Sequence, residues 1–239
     1  MKILIVSGFL GAGKTTFIKR LARNVDQRFA ILENEYGAAG IDGARLGQNR
    51  QGTQKNVWEM TEQCICCIGK KDFAASVLTI ANVVDPEYLI VEPTGVGSLA
   101  RIIENLRQIE YERIQLLSPV TIVDVYSYRR YMAEYPELYQ DQIRSADTII
   151  VSKTEACQAE EKQRIQKFLQ EINPQAKIIT DYASTMTRED YQSLLLGGRY
   201  EKEVQDTQSG EKMPETFSFE NIRMEAPESL WCFLEQIIR

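Results

Sequence analysis

Residues 2–16 read Lys2-Ile3-Leu4-Ile5-Val6-Ser7-Gly8-Phe9-Leu10-Gly11-Ala12-Gly13-Lys14-Thr15-Thr16, a short apolar strand running into GxxxxGK[ST]. Phe17, Ile18 and Leu21 behind it continue as a helical pattern, so the stretch is a strand, a phosphate-binding loop and a helix in succession. Such a loop turns tightly, aims its backbone N–H groups at one point and adds the positive dipole end of the following helix, which favours a polyphosphate. Gly8, Gly11, Ala12, Gly13, Lys14, Thr15 and Thr16 are therefore nucleotide-binding candidates. Lys14 is expected to reach the β and γ phosphates, the Thr15 hydroxyl to join the shell of Mg²⁺, and Thr16 to help hold the α phosphate.

Working outward, apolar strand-like runs alternate with helix-period segments, the pattern of an α/β fold with a mainly parallel central sheet flanked by helices on both faces. Strands are expected at Ile3–Ser7, Phe29–Glu33, Asn56–Met60, Tyr88–Glu92, Val120–Asp124, Thr148–Ser152 and Lys177–Thr180. Ile102, Ile103, Leu106 and Ile109 mark the buried face of one helix, and Ile165, Phe168, Leu169 and Ile172 that of another. Residues 1–200 read as one P-loop domain, 201–216 as a polar linker or loop, and 217–239 as a short strand and helix appended to it.

The chain has 239 residues, 44% of them hydrophobic, and a net charge of −6. That is enough for a sizeable core and leaves no basic footprint for nucleic acid. No apolar run approaches the roughly 20 residues needed to span a bilayer, and cleaving the N-terminal run as a signal would destroy the loop, so a cytoplasmic location is expected. Five cysteines in a reducing compartment suggest thiols or metal ligands rather than disulfides.

A P-loop ATPase or GTPase needs a carboxylate at the end of a second strand to hold Mg²⁺. Glu92 ends the run Tyr88-Leu89-Ile90-Val91-Glu92, and Pro93-Thr94-Gly95 follows, with the Gly95 N–H placed to contact the γ phosphate. The later strand Thr148–Val151 ends in Ser152-Lys153-Thr154-Glu155, a variant of the Asn-Lys-x-Asp guanine reader. Glu155 can accept from guanine N1–H and N2–H₂, and the aliphatic stem of Lys153 can lie along the base. Ser152 puts a hydroxyl where a carboxamide is expected, so weaker contacts to the base or the P-loop follow. The balance favours GTP over ATP.

Cys64-Ile65-Cys66-Cys67 places three thiols in four positions, a set that Zn²⁺, Cu⁺ or Co²⁺ would accept if the segment bends. The chain has no histidine, so a fourth ligand must come from a carboxylate such as Glu33 or Asp42, from water, or from a second chain. An open shell suits a metal that is handed on, and a metal-bridged homodimer is one arrangement that would complete it. Redox chemistry and buried structural thiols are the competing uses. Cys157 and Cys232 read as packing residues.

In order, GFLGAGKTT, ENEYG (Glu33 to Gly37), CICC (Cys64 to Cys67), EPTG (Glu92 to Gly95) and SKTE (Ser152 to Glu155) resemble the CobW/HypB/UreG family of GTPases, its CobW-like branch most closely. The resemblance implies a metal-insertion chaperone with low intrinsic GTPase activity that cycles between GTP and GDP and serves a client metalloprotein. It puts the family's metal motif on Cys64, Cys66 and Cys67 and its strand-end acidic motif on Glu33, Asn34 and Glu35, with Glu33 the better metal candidate. It also implies a switch loop over Gly37 to Asp42, in which Asp42 would orient Mg²⁺ or the attacking water. Ala38 departs from the acidic residue of many relatives, and residues 217–239 resemble only the opening of a second domain, in a natural short form or a truncated one. A chaperone that activates or repairs a corrinoid-type cofactor enzyme, and a regulatory GTP-binding module, are the alternative functions.

Overall fold

The computed structural model describes residues 1–33, 57–61 and 70–204. Among them the strands are β1 (Lys2–Gly8), β2 (Phe29–Glu33), β3 (Val57–Thr61), β4 (Tyr88–Glu92), β5 (Gln115–Leu116), β6 (Val120–Asp124), β7 (Thr148–Ser152) and β8 (Lys177–Ile179). The helices are α1 (Lys14–Asn24), α2 (Lys70–Val83), α3 (Leu99–Arg107), α4 (Tyr128–Glu134), α5 (Pro136–Arg144), α6 (Ala159–Ile172), α7 (Tyr182–Thr185) and α8 (Arg188–Leu196). The strands form one parallel sheet in the order β3-β2-β4-β1-β6-β7-β8, with β5 paired to the start of β1.

Strand β1 explains the layering. Ile3, Leu4, Ile5 and Val6 are all 0% exposed, because successive side chains point to opposite faces and both faces are covered. Ile3 and Ile5 join Ala30, Leu32, Leu89 and Val91 under Ile102, Ile103 and Leu106 of α3 and Phe73, Val77 and Ile80 of α2. Leu4 and Val6 join Ile31 and Ile90 against Phe17, Ile18 and Leu21 of α1 and Tyr191 and Leu195 of α8. A third cluster packs Val123, Ile149 and Val151 against Tyr139 and Ile143 of α5 and Ile165 and Leu169 of α6. Each fully buried aliphatic contributes roughly 1.5–3 kcal/mol, so β1 alone anchors both layers.

Strands β2, β4, β6 and β7 match their expected spans, while β1, β3 and β8 differ by single residues at their ends. Helix α3 stops at Arg107, so Ile109 is not on it. Its N–H instead donates to the Leu106 carbonyl at 3.1 Å in a turn that lays Ile109 on the same apolar cluster. The chain beyond α8 returns to the sheet: Tyr200 donates its N–H to the Leu116 carbonyl at 2.9 Å and its hydroxyl to the Ser145 carbonyl at 2.8 Å.

The sheet reverses its winding at β1, with β2, β3 and β4 on one side and β6, β7 and β8 on the other. In open α/β sheets the crevice outside the carboxyl ends of the strands at such a point is where ligands bind. Glu33, Gly8, Glu92, Asp124 and Ser152 all stand at that end.

Candidate nucleotide and metal site

The turn from β1 to α1 is built as the sequence requires. Gly8, Gly11 and Gly13 have φ of 142°, 68° and 99°, and the left-handed Gly13 forms the N-cap of α1. A side chain at Gly13 would strain the entry into the helix at the point where its N–H groups converge. Lys14 is buried, and its Nζ donates to the Gly8 carbonyl at 3.0 Å and the Phe9 carbonyl at 3.4 Å, so the ammonium lies folded inside the loop. Ala12 is buried and Thr16 exposed.

The Thr15 hydroxyl donates to Glu92, 3.0 Å from Oε1 and 3.3 Å from Oε2. Because β1 and β4 are neighbours, the strand-end carboxylate and the loop hydroxyl meet although 77 residues separate them. Glu33 lies level with Glu92 in the β2–β4 register and is buried. Two carboxylates and a hydroxyl at one sheet end are hard oxygen donors, the chemistry that Mg²⁺ accepts. Strand β3 ends at Thr61, level with Glu33, so the chain enters the CICC stretch from the same end. Cys64, Cys66, Cys67, Asp42 and residues 34–37 lie outside the described residues.

The loop after β4 is held against the P-loop. A Cβ on Gly95 would lie 2.5 Å from the Leu10 backbone nitrogen, a distance that no side chain tolerates, so only glycine permits this approach. From behind, the buried Gln142 of α5 donates its amide to the carbonyls of Gly95 and Gly97 at 3.2 and 2.9 Å. Asp141 beside it accepts the Leu99 N–H at 2.7 Å and so caps α3. Phe9 is buried among Tyr131, Tyr135 and Tyr139, with ring centroids 4.3, 5.6 and 5.6 Å away. Burial pushes the Tyr139 hydroxyl well above the ordinary tyrosine range, with the Asp124 carboxylate adding to it. The Tyr131 hydroxyl donates to the Leu10 carbonyl at 3.1 Å. Helices α4 and α5 thus touch both the P-loop and the loop of Glu92 to Ser98.

At the end of β7 the Ser152 hydroxyl donates to the Ala12 carbonyl at 2.6 Å, which makes the contact to the P-loop direct despite the missing carboxamide. Lys153 has φ of 60°, and its Nζ lies 2.6 Å from Asp124 Oδ2. Asp124 is buried and also accepts from the Ser127 hydroxyl at 3.0 Å and the Tyr126 N–H at 2.9 Å. Glu155 is exposed. Sequence reasoning did not single out Asp124, Asp141 or Gln142. The one available signal was for Asp124, an acid closing the apolar run Val120-Thr121-Ile122-Val123.

A family model for the CobW/HypB/UreG nucleotide-binding domain matches residues 2–180. The chain belongs to the CobW/HypB/UreG family. YeiR of Escherichia coli strain K12, named a zinc chaperone, is 30% identical over 178 residues, covering 73% of this chain and 53% of that protein. CobW of Pseudomonas aeruginosa, also named a zinc chaperone, is 27% identical over 194 residues, covering 69% and 52%. The chain therefore spans about half the length of the curated relatives it matches. Among solved structures, Zn(II)-bound YjiA GTPase from E. coli superposes with a TM-score of 0.61 at 20% identity, covering 91% of this chain and 67% of that one. The hydrogenase maturation factor HypB from Archaeoglobus fulgidus gives 0.54 at 18% identity, covering 82% and 89%. The family's α/β P-loop fold is thus the fold of this chain.

Proposed function

We propose that this chain is the GTP-binding, slowly GTP-hydrolysing part of a cytoplasmic metallochaperone, which takes a transition metal, Zn²⁺ first, through Cys64, Cys66 and Cys67 and passes it to a client metalloprotein. The observation that carries the reading is the Thr15–Glu92 contact beside Glu33, at the sheet end from which β3 leads into the CICC stretch. The end of β3 lies at the same end of the sheet as the nucleotide groups, and a metal affinity that differs between the two nucleotide states would couple the sites. The names of YeiR and CobW as zinc chaperones support the cargo.

Lys14 and the loop N–H groups would bind the phosphates, and Thr15 and Glu92 would hold Mg²⁺. When bound, that ion neutralises charge on the β and γ oxygens. Glu155 and Lys153 would read guanine, and Gly95 would follow the γ phosphate. Residues 1–200 form the GTPase domain in this reading, 201–216 a linker, and 217–239 an appendage. Among the described residues no helix is long and apolar enough to cross a membrane.

The test is a Co²⁺ titration of the reduced protein, followed by thiolate-to-metal absorption, with GDP and then with a non-hydrolysable GTP analogue plus Mg²⁺. A nucleotide-dependent affinity that disappears in Cys66→Ser is expected. Equal affinity in both nucleotide states would rule out a nucleotide-driven transfer cycle.

A further inference from the structure

We infer that Asp124 determines the base specificity of this domain by bracing the loop Lys153-Thr154-Glu155 through Lys153, an inference that rests on the reading of that loop as the guanine reader.

Asp124 closes β6 and is buried, with Oδ2 2.6 Å from Lys153 Nζ. The lysine is thereby tethered at both ends of its aliphatic stem, by the backbone and by the carboxylate. Lys153 has φ of 60°. Left-handed backbone at residues with side chains persists only where surrounding contacts impose it, and such residues cluster at functional sites. At Lys153 the side chain is held by the ion pair with the Asp124 carboxylate.

Glu155 is exposed, so its direction depends on the backbone of a short loop. A carboxylate that must meet both N1–H and N2–H₂ of guanine needs that backbone placed to within about 0.5 Å. If Lys153 is released, the loop can relax to an ordinary φ, which turns Glu155 away from the position it needs. Asp124 is a positioning residue, acting through Glu155 rather than on the base.

The experiment is calorimetric titration of the full chain with GDP and with IDP, which lacks the 2-amino group, both with Mg²⁺. Wild type should prefer GDP by about tenfold or more, the effect of one hydrogen bond to a carboxylate. Glu155→Gln should abolish that preference. Asp124→Asn should weaken GDP about tenfold and IDP less, shrinking the GDP to IDP ratio at least about threefold. Lys153→Met keeps the stem, removes the tethered charge from a half-exposed position and should match Asp124→Asn even if that variant folds poorly. An unchanged ratio in Asp124→Asn and Lys153→Met, with the preference lost in Glu155→Gln, overturns the bracing role alone. A wild-type ratio in Glu155→Gln overturns the reading of the loop itself.

Discussion

The Ser152 hydroxyl donates to the Ala12 carbonyl at 2.6 Å, joining the end of β7 to the phosphate loop across 140 residues of sequence. This contact links the segment that would read the base to the one that would hold the phosphates. A serine reaches the carbonyl because β7 and β1 flank β6, which brings their carboxyl ends close enough for a short side chain. Ser152→Ala should therefore lower stability by about 1–2 kcal/mol, since the bond is lost and a buried carbonyl is left behind. Urea unfolding with and without GDP measures it. The loss should be larger with nucleotide bound, where the bond also supports affinity, and an equal loss in both states would confine the serine to packing.

Glu92 and Thr15 make a second link, between β4 and α1. Glu92→Gln keeps size and hydrogen bonding but removes the charge that a divalent cation needs. Hydrolysis should fall about 100-fold, and the Mg²⁺ concentration for half-maximal GTP affinity should rise. Binding of GDP without Mg²⁺ should stay within about threefold of wild type, because glutamine can still accept from the Thr15 hydroxyl. Turnover at wild-type Mg²⁺ dependence would remove Glu92 from the site.

Gly95 offers a steric test. Its missing Cβ would lie 2.5 Å from Leu10 N and 2.9 Å from Leu10 Cα, both in backbone that cannot swing aside. Gly95→Ala must push the Glu92 to Ser98 loop off the P-loop, costing about 1–3 kcal/mol. It should also uncouple the nucleotide from that loop, so affinities for GDP and a GTP analogue converge. Thermal melts and paired titrations check both effects, and an unperturbed melting temperature would show that the loop does not pack as described.

The sheet was legible because strands buried on both faces must be apolar throughout, as Ile3 to Val6 and Ile149 to Val151 are. The phosphate loop was legible because its glycines, lysine and threonine serve chemistry within one short stretch. Gln142 and Asp141 were not, since they matter only through partners 47 and 42 residues away and stand among polar residues that read as helix surface. Asp124 has its partner 29 residues on. Helices α4 and α5 were hidden for a local reason: Pro136 restarts the helix after Tyr135, leaving two pieces too short for a clear period.

Phe9 makes a stability prediction for these same helices. Its ring is buried against Tyr131, Tyr135 and Tyr139. Phe9→Ala should cost about 3–5 kcal/mol and Phe9→Leu markedly less, as expected when an aromatic core contact is deleted or shortened. Nucleotide affinity should fall with stability in Phe9→Ala, because Phe9 is also part of the loop that holds Lys14. Chemical denaturation separates the variants, and equal costs for Ala and Leu would mean that the ring is not packed by the three tyrosines.

The Asp181–Lys162 pair gives a prediction about acid. The hydrogen bond and charge of Lys162 hold the Asp181 carboxyl below its ordinary range, against a smaller opposing effect of burial. A carboxylate whose pKa is lower folded than unfolded stabilises the fold above the unfolded value and loses that contribution as pH falls through the folded one. Asp181→Asn should thus be less stable than wild type near neutrality, and the gap should close as pH drops below about 4, where the unfolded chain takes up the proton first. Melting temperatures of both proteins from about pH 7 down to about pH 3 measure it. A gap that stays constant over that range would mean that Asp181 contributes by hydrogen-bond geometry alone, and one that widens would reverse the sign assigned to its environment.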